Sequence, residues 1–314
     1  MEAVAVILEA PGQLALRPLA LTGMAPGDVR VEIEWSGISS GTEKLLWTGR
    51  MPDFPGMGYP LVPGYESVGR IVDAGEAVKA RIGEYVFVPG ANCYEGARGL
   101  FGGTARQVVL PSARAIPISE SLGRDGILIA LAATAHRAIS VGGVPDLIIG
   151  HGILGRLIAR IAIATGGDAP VVWEANPVRR EADLGQAGFD YSVIDPDSDG
   201  RRDYAAICDA SGTPDILDLA FGRLAKGGEV TLAGFYDRLS FAFPPAFMRE
   251  ARMRISAEFT PADLSAVVEL LDIGLLEFDG LVTHIRPAAE ADVAYPQAFT
   301  DPACLKMVLD WRTL

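Results

Sequence analysis

A glycine-rich segment near the middle of the chain has the spacing of a phosphate-binding loop. The apolar run Leu147–Ile149 stops at Gly150, and Gly152 and Gly155 complete a G-x-G-x-x-G pattern before a run of helix-forming residues. The first glycine permits a tight turn, the second lets the backbone approach a pyrophosphate, and the third lets helix and strand pack closely. The N-terminus of the helix would offer N–H groups and a positive dipole end to phosphates. The pattern therefore predicts dinucleotide binding, with a purely packing role for the glycines as the alternative.

An acidic residue follows at the spacing expected for recognition of a ribose. A second apolar run, 171–173, ends at Glu174, about 20 residues after the last glycine. A carboxylate there can accept hydrogen bonds from both ribose hydroxyls, and its charge opposes a 2′-phosphate. We therefore predict NAD rather than NADP as the cofactor. Arg179 and Arg180 argue the other way, because an arginine near this site can bind a 2′-phosphate.

A third strand-like run should end beside the same cofactor. Residues 206–212 read AICDASG, so a parallel strand would end in small residues near Ser211. Ligands of open parallel sheets bind at the carboxyl ends of the strands. We therefore expect cofactor contacts from Ser211 and from the loop backbone, including Ile153 and Leu154.

These segments require a doubly wound parallel sheet to bring them together. From about residue 123 to 260, strand-like and helical runs alternate, which indicates an α/β fold. Helices are predicted over 126–141, 179–187 and 214–224, and strands over 147–149, 171–173, 191–194, 205–209 and 229–233. Residues 1–122 are instead short β-branched runs punctuated by Gly and Pro, which predicts a β-rich domain. A helix over 261–273 and a short strand-like tail complete residues 261–314.

The composition argues against several classes of protein. The net charge of −13 disfavours nucleic acid or an anionic membrane as a main partner, because both need a basic surface. Cys93, Cys208 and Cys304 lie far apart without C-x-x-C spacing, which fits a reducing cytoplasm better than a disulfide framework. The first residues carry Glu2 and Glu9 and no basic region, so no signal peptide is predicted. His151, Arg156 and Arg160 interrupt the apolar stretch around the glycine loop, so no transmembrane helix is predicted either.

An irregular segment over residues 49–65 is unusually rich in proline, glycine and apolar side chains. It carries Met51, Phe54, Met57 and Tyr59. A loop of this composition is expected either to fold over an apolar ligand or to form a contact between subunits.

The order of these segments resembles the medium-chain dehydrogenase/reductase superfamily. Residues 63–69 (PGYESVG) are similar to its P-G-H-E-x-x-G segment, and residues 101–105 (FGGTA) to its G-G-x-A-E turn. Residues 131–136 (LAATAH) resemble the helix that carries a threonine beside the nicotinamide, which implies this role for Thr134. The resemblance implies a GroES-like catalytic domain over 1–122, a Rossmann domain over 123–260, and a return to the catalytic domain over 261–314.

The chain departs from this superfamily at the positions that hold catalytic zinc. Zinc-dependent members use a cysteine in a C-G-x-C-x-T-D segment, the histidine of G-H-E, and a later cysteine. Here Ser39 stands at the first position, Tyr65 replaces the histidine, and Ala130 lies in the region of the later cysteine. Because serine hydroxyl and phenol are poor zinc ligands, we predict a zinc-independent enzyme with no metal ligands.

Longer stretches resemble one branch of the superfamily more closely. These are residues 38–50, 55–69, 235–252 and 299–311. That branch oxidises the C3 1-hydroxyethyl group of a bacteriochlorophyllide-type tetrapyrrole to an acetyl group in bacteriochlorophyll biosynthesis. The resemblance therefore implies an NAD-dependent alcohol dehydrogenase acting on CH–OH, with a chlorin macrocycle as its substrate.

The resemblance also implies which side chains act on a substrate. Thr42 matches the hydroxyl that contacts the substrate oxygen and starts a proton relay, and Ser39 and Ser40 lie beside it. Tyr65 could donate a hydrogen bond to that oxygen or, as a phenolate, accept its proton. Glu66 is a candidate supporting carboxylate. The structural alternatives are a plain turn for Ser and Thr, a packed loop tyrosine, and a satisfied buried acid.

The three histidines do not suggest a metal site. His136 could face the nicotinamide or the solvent, and a structural role is preferred. Only the backbone of His151 is expected to matter within the glycine loop, and His284 has no partner acid at a suggestive spacing.

Two other functions stay open at this point. One is a zinc-free quinone or enone reductase that transfers hydride from NADPH to a C=C bond. The other is a non-catalytic nucleotide-binding regulatory protein. The sequence is also compatible with a homo-oligomer.

Overall fold

Residues 1–181, 189–236 and 238–314 are described by a computed structural model, and they divide into two units. Unit 1 contains residues 1–130 and 281–314, and unit 2 contains residues 131–280. The sequence had suggested changes after residues 122 and 260. Residues 261–280 belong to unit 2 because side chains of that unit hold them. His136 Nδ1 lies 2.8 Å from Asp263 Oδ1, and Arg160 donates to the backbone carbonyls of Glu277 and Asp279.

The strands and helices follow one another as follows. The strands are β1 Glu2–Ala10, β2 Gln13–Ala20, β3 Asp28–Ile38, β4 Ser67–Ala74, β5 Tyr85–Val88, β6 Gln107–Pro111, β7 Ile116–Pro117, β8 Leu147–Ile149, β9 Val171–Trp173, β10 Ser192–Ile194, β11 Tyr204–Asp209, β12 Leu224–Leu232, β13 Arg252–Ile255, β14 His284–Pro287 and β15 Met307–Asp310. The helices are α1 Thr42–Thr48, α2 Ile129–Gly142, α3 Ile153–Ala164, α4 Pro177–Glu181, α5 Ile216–Arg223, α6 Phe243–Arg249, α7 Pro261–Asp272 and α8 Ala291–Thr300.

Unit 2 contains the predicted parallel sheet. Its six strands are arranged in the order β10-β9-β8-β11-β12-β13, and every neighbouring pair is parallel. From β8 the chain adds β9 and β10 on one side of the sheet and then β11, β12 and β13 on the other side. The order of the strands therefore reverses between β8 and β11, which is the point where ligands of such sheets bind. The strands β8 and β9 are short and apolar because they are covered on both faces, as expected for a parallel sheet.

Unit 1 is built on a mixed sheet of seven strands. Its order is β14-β15-β3-β4-β5-β7, with β6 also pairing with β3, and β1 and β2 form a separate antiparallel pair. β15 pairs antiparallel with β3 and places Met307 opposite Ile38. This pairing brings the last residues of the chain beside the segment that carries Ser39 and Thr42.

The segment over residues 49–65 forms a small core of its own. Met51 is buried with Leu8, Leu46 and Leu61, and Met57 packs against this cluster. The Tyr59 hydroxyl, also at the cluster, donates to the carbonyl of Leu46. Phe54, in contrast, is 38% exposed. Most of the apolar side chains that were expected to face a ligand or a subunit are therefore used within the fold.

Several helices were missed or displaced in the sequence prediction. Helix α8 contains Pro296, and a proline inside a helix normally argues against it. Helix α6 begins at residues that include two prolines, which the first turn of a helix tolerates. Of the helix predicted over 179–187, residues 182–187 lie outside the described residues. Within the described parts of the chain, no helix is both long and apolar enough to cross a membrane.

Two glycines of the G-x-G-x-x-G loop should differ sharply in their tolerance of a methyl group. A Cβ on Gly155 would lie 1.9 Å from the carbonyl oxygen of Gly150, whereas a Cβ on Gly152 would meet no atom within 4 Å. We expect Gly155→Ala to lower the free energy of unfolding by roughly 1–3 kcal/mol, because the loop must move away from the helix. Gly152→Ala should change it by less than about 0.5 kcal/mol. Urea unfolding followed by circular dichroism measures both values, and equal losses would contradict the packing argument.

Candidate functional site

The glycine loop of unit 2 lies at the reversal point of the parallel sheet. Gly150, just after β8, has φ +99°, a left-handed conformation that favours glycine. A Cβ on Gly150 would lie 3.0 Å from the Cα of Ser211, which follows the neighbouring strand β11. The structure therefore brings the predicted loop and Ser211 together, as the sequence had suggested.

The start of α3 is open above this loop. Gly152 is the N-cap residue, and Ile153 and Leu154 are half-buried in the first turn. The first N–H groups of an α-helix have no partner within the helix. Together with the empty space beside Gly152, they provide what a phosphate group needs in order to approach the backbone.

Glu174 joins the end of β9 to the glycine loop. Its carboxylate accepts hydrogen bonds from the backbone N–H of His151, at 3.1 Å, and of Asn176, at 2.8 Å. A carboxylate has about four acceptor positions, so these two bonds leave capacity for further donors. Arg180 donates to the backbone carbonyl of Glu174 and pairs with Asp195 at 2.7 Å. Its guanidinium is therefore already engaged.

The side chain of His151 has a structural role that the sequence did not suggest. The ring is buried, with Nδ1 lying 3.2 Å from the carbonyl oxygen of Arg179 and Nε2 3.0 Å from the hydroxyl of Tyr191. Because a carbonyl can only accept, Nδ1 carries the proton and Nε2 accepts. Burial, and then the charge of Arg156, lower the pKa of His151 to about 3. The imidazole is therefore neutral and braces the loop.

A buried carboxylate supports the strand end beside Ser211. Asp209 accepts hydrogen bonds from the hydroxyl of Tyr236 and, at 2.9 Å, from the backbone N–H of Ser211. Burial raises the pKa of Asp209, and these hydrogen bonds oppose that shift. The contact between Asp209 and Tyr236 was not predicted from the sequence, although an acid at the end of an apolar strand could have indicated a buried carboxylate there. Thr134 lies half-buried on α2 in the same unit.

Unit 1 brings together most of the predicted hydroxyl groups. Ser39 Oγ lies 2.8 Å from the Tyr65 hydroxyl, and the Tyr65 ring packs against Phe101. Burial, and then the charge of Glu66, raise the pKa of Tyr65 well above 10, while hydrogen bonds with Ser39 and Thr42 offset only part of this. Tyr65 is therefore a neutral phenol near neutral pH, which argues against the phenolate considered from the sequence. Ser40 is exposed at the turn before α1.

Glu66 lies behind Tyr65 in contact with a lysine. Its carboxylate is fully buried and contacts the ammonium of Lys306, which is 2% exposed. Burial raises the pKa of Glu66, and Lys306 opposes the shift. A Cβ on Gly37 would lie 2.4 Å from Glu66 Oε2, so the glycine of β3 makes room for this pair. Lys306 could not be recognised from the sequence, because only the β3–β15 pairing brings it here.

Glu43 is a second buried carboxyl group that sequence analysis did not select. Its Oε2 accepts from the Tyr295 hydroxyl at 2.8 Å, and its Oε1 lies 3.3 Å from the backbone nitrogen of Ser39. Burial is the main cause that raises the pKa of Glu43 to about 8. The carboxyl group is therefore largely protonated at neutral pH.

At the positions that hold zinc in related enzymes, this chain has residues that are not typical zinc ligands. Ser39 and Tyr65 lie together, and Ala130 is buried at the start of α2. Over the described ranges, no group of three His, Cys, Asp or Glu side chains is placed to hold a metal ion. The donor set of this cluster is that of neutral hydroxyls, which bind zinc poorly.

The remaining histidines are held by acids. His136 Nδ1 lies 2.8 Å from Asp263, whose other oxygen caps α7 through Thr260. His284 Nε2 lies 3.5 Å from Asp301, an acid that its spacing in the sequence did not suggest as a partner. That pairing joins β14 to the end of α8 and could not be seen locally.

The raised pKa of Glu43 predicts that stability falls as the pH rises. In the unfolded chain this carboxyl titrates near 4.5, so its contribution to folding is complete below that pH and is lost as the pH rises through about 8. Glu43→Gln cannot ionise. We therefore expect it to lose roughly 2–4 kcal/mol less than the wild type between about pH 5 and pH 8. Urea unfolding across this range measures the difference, with exposed Glu76→Gln as control. Parallel pH curves for Glu43→Gln and wild type would contradict the prediction.

Comparison with known proteins shows which families and folds this chain is similar to. Residues 25–120 match the model of the alcohol dehydrogenase GroES-like domain. A short chain alcohol dehydrogenase (rspB) from E. coli CFT073, solved in complex with the cofactor NADH, has a TM-score of 0.84 and 22% identity, covering 99% of each chain. This likeness shows that the two chains share a fold.

Two curated relatives are much more similar in sequence. A 2-desacetyl-2-hydroxyethyl bacteriochlorophyllide A dehydrogenase from Rhodobacter capsulatus is 54% identical, covering 99% of both chains. A protein of the same name from Cereibacter sphaeroides is 53% identical, again over 99% of both. The chain therefore belongs to the medium-chain dehydrogenase/reductase superfamily and, within it, to the family of 2-desacetyl-2-hydroxyethyl bacteriochlorophyllide A dehydrogenases.

Proposed function

We propose that this chain oxidises the C3 1-hydroxyethyl group of a bacteriochlorophyllide-type macrocycle to the 3-acetyl group, with NAD and without zinc. The observation that carries the proposal is the 54% identity, over 99% of both chains, to a dehydrogenase named for that substrate. The hydroxyl cluster of unit 1 and the glycine loop of unit 2 supply the two kinds of chemistry that the reaction needs.

The hydroxyl cluster handles the proton of the alcohol. A secondary alcohol gives up hydride readily only as its O–H proton leaves, and hydrogen bonds to the developing alkoxide can promote this without a metal. Because Tyr65 is a neutral phenol, it can take the alcohol proton only while it passes its own proton to Ser39 or Thr42, whose hydroxyl in turn releases its proton toward water. Ser40, which is exposed, continues the path to water. Glu66 contacts Lys306, so the adjacent ammonium offsets the negative charge that this carboxylate would place near the path.

The residues of unit 2 fit a nicotinamide dinucleotide. Bound NAD supplies the hydride acceptor of the reaction. Gly152, Ile153 and Leu154 would hold the pyrophosphate through backbone N–H groups, and Gly150 and Gly155 keep the loop close to the helix. Glu174 would accept hydrogen bonds from the ribose hydroxyls, and Thr134 and Ser211 would contact the nicotinamide half of the cofactor. The structure solved with NADH supports this choice of cofactor class through its shared fold.

A measurement of NAD binding should separate the effect of Gly152→Ala on the cofactor site from its effect on folding. The space beside Gly152 is empty, so Gly152→Ala folds but places a methyl group where the pyrophosphate must approach. We expect the Kd for NAD to rise about 10- to 100-fold, a loss of about 1.4–2.7 kcal/mol. Quenching of tryptophan fluorescence or calorimetry gives this value. Unchanged affinity would show that the loop does not hold the phosphates, and failure of the wild type to bind NAD would favour a non-catalytic protein.

The carboxylate of Glu174 should set the preference for NAD over NADP. Glu174→Gln loses the charge that opposes a 2′-phosphate, and its single amide oxygen can accept from only one of the two backbone N–H groups, that of His151 or that of Asn176. We expect the ratio of kcat/KM for NAD to that for NADP to fall by about 10-fold, or about 1.4 kcal/mol. Steady-state kinetics with both cofactors tests this. A wild type that prefers NADP would show that an arginine reaches the 2′-phosphate.

The reaction itself is tested with purified protein, NAD and a 3-hydroxyethyl chlorin. The wild type should give NADH together with a red-shifted chlorin band, and it should keep this activity after treatment with a zinc chelator. Tyr65→Phe and Thr42→Ala should each lower kcat by about 10- to 1,000-fold with little change in the Kd for NAD. Tyr59→Phe is the matched control, since its hydroxyl donates to the carbonyl of Leu46 in the neighbouring apolar cluster. Full kcat in both variants would contradict the proposed relay, and activity only on enones with NADPH would favour a reductase.

A further inference from the structure

A chain of contacts runs from the proposed relay into the interior of unit 1. The Tyr65 hydroxyl lies 2.8 Å from Ser39 Oγ, and the backbone nitrogen of Ser39 lies 3.3 Å from Glu43 Oε1. The other oxygen of Glu43 accepts from the Tyr295 hydroxyl at 2.8 Å. Ser39, Glu43 and Tyr295 are all buried, the last two completely. The position of Ser39 therefore depends on a carboxyl group that does not itself touch Tyr65.

Glu43 is held by contacts with residues that are far apart in the sequence. It is the second residue of α1, and its own N–H donates to the carbonyl of Ser39 at 3.0 Å, so the turn and the helix fix each other. Tyr295 comes from α8, where its ring packs edge-on against Phe299 and close to Trp47. A phenol packed in this way has little freedom to leave Glu43.

We propose that Glu43, braced by Tyr295, is a positioning residue that fixes Ser39 and through it the Tyr65 hydroxyl for proton transfer. This role rests on the proposed oxidation of an alcohol. Glu43 acts through Ser39 and takes no proton from the substrate.

The charges around Glu43 explain why the neutral form suits this role. The titratable groups that face it are Tyr295, Glu66, Lys306 and, beyond Ser39, Tyr65. Ionised Glu43 would add a second buried negative charge near Glu66 and would raise the pKa of Tyr65 further. Both effects oppose the negative charge that develops on the alcohol oxygen. Burial raises the pKa of Glu43 to about 8, so activity should fall above that pH.

Two substitutions of Glu43 separate positioning from proton transfer. Glu43→Gln imitates the neutral acid, so its kcat at pH 7 should stay within about 3-fold of the wild type and should not fall above about pH 8. Glu43→Leu removes both contacts, so its kcat should fall at least about 10-fold while the Kd for NAD stays unchanged. Glu76→Gln, on the surface, is the control. A Glu43→Gln enzyme as inactive as Glu43→Leu at every pH would overturn the proposal, since Glu43 would then carry the proton itself. Full kcat in Glu43→Leu would also overturn it.

Tyr295→Phe gives a directional check. The Tyr295 hydroxyl bonds to Glu43 and lowers its pKa, so losing that hydroxyl should raise this pKa further. The alkaline limit of kcat should therefore move to higher pH in Tyr295→Phe, whereas a purely structural loss would lower kcat at every pH. If the alkaline limit of kcat stayed at the same pH as in the wild type, the proposed bracing of Glu43 by Tyr295 would be overturned.

A measurement without substrate keeps this inference distinct from the proposed function. In protein labelled with ¹³C at the tyrosine ζ carbon, the Tyr65 resonance, assigned with Tyr65→Phe, should shift with a midpoint near pH 8. The shift should be absent in Glu43→Gln. A shift of this kind in a protein that oxidises no hydroxyethyl chlorin would support the brace and contradict the proposed function. A Tyr65 resonance that ignores pH would overturn the brace whatever the activity.

Discussion

Glu43 and Glu66 are fully buried within unit 1, and the cost of taking carboxyl groups out of water governs how that unit is assembled. A buried carboxylate without a partner costs several kcal/mol, so each group needs its own solution. Glu66 has the ammonium of Lys306 beside it, whereas Glu43 favours its protonated form and bonds to Tyr295. Both partners come from the end of the chain. The docking of β15 and α8 on the N-terminal part is therefore a condition for burying the acids.

The same arrangement determines the electrostatic character of the proposed proton path. The hydroxyls of Ser39 and Tyr65 are neutral and close together, and the nearest acids are either protonated or paired. A developing alkoxide would be stabilised by oriented hydroxyl dipoles fixed in advance, which require little rearrangement during the reaction. In a zinc dehydrogenase the metal charge serves this purpose, and precise placement of the dipoles would have to replace it. On this proposal, the residues that hold Ser39 in place contribute to the reaction together with those beside the substrate.

The sequence allowed the parallel sheet, the glycine loop and its joining to Ser211 to be predicted, because each of these depends on short-range patterns. It could not indicate Glu43, Tyr295 or Lys306, since Glu43 and Tyr295 are 252 residues apart and Lys306 reaches Glu66 only through the β3–β15 pairing. Helix α8 was missed because Pro296 lies within it. The packing of the loop over residues 49–65 was not predicted, because Met51 and Tyr59 contact residues that no local pattern connects to them.

Unit 1 is discontinuous in sequence, and this has a consequence for the order in which the protein is made. A ribosome releases residues 131–280 before it releases residues 281–314, so unit 2 has its whole chain while unit 1 still lacks α8 and β15. Until those residues emerge, Glu43 and Glu66 have neither Tyr295 nor Lys306 to contact, and they remain hydrated. The nascent chain can therefore complete its parallel sheet at a stage when the hydroxyl cluster is still unformed. The contacts of Glu43 with Tyr295 and of Glu66 with Lys306 form only after residues 281–314 have emerged.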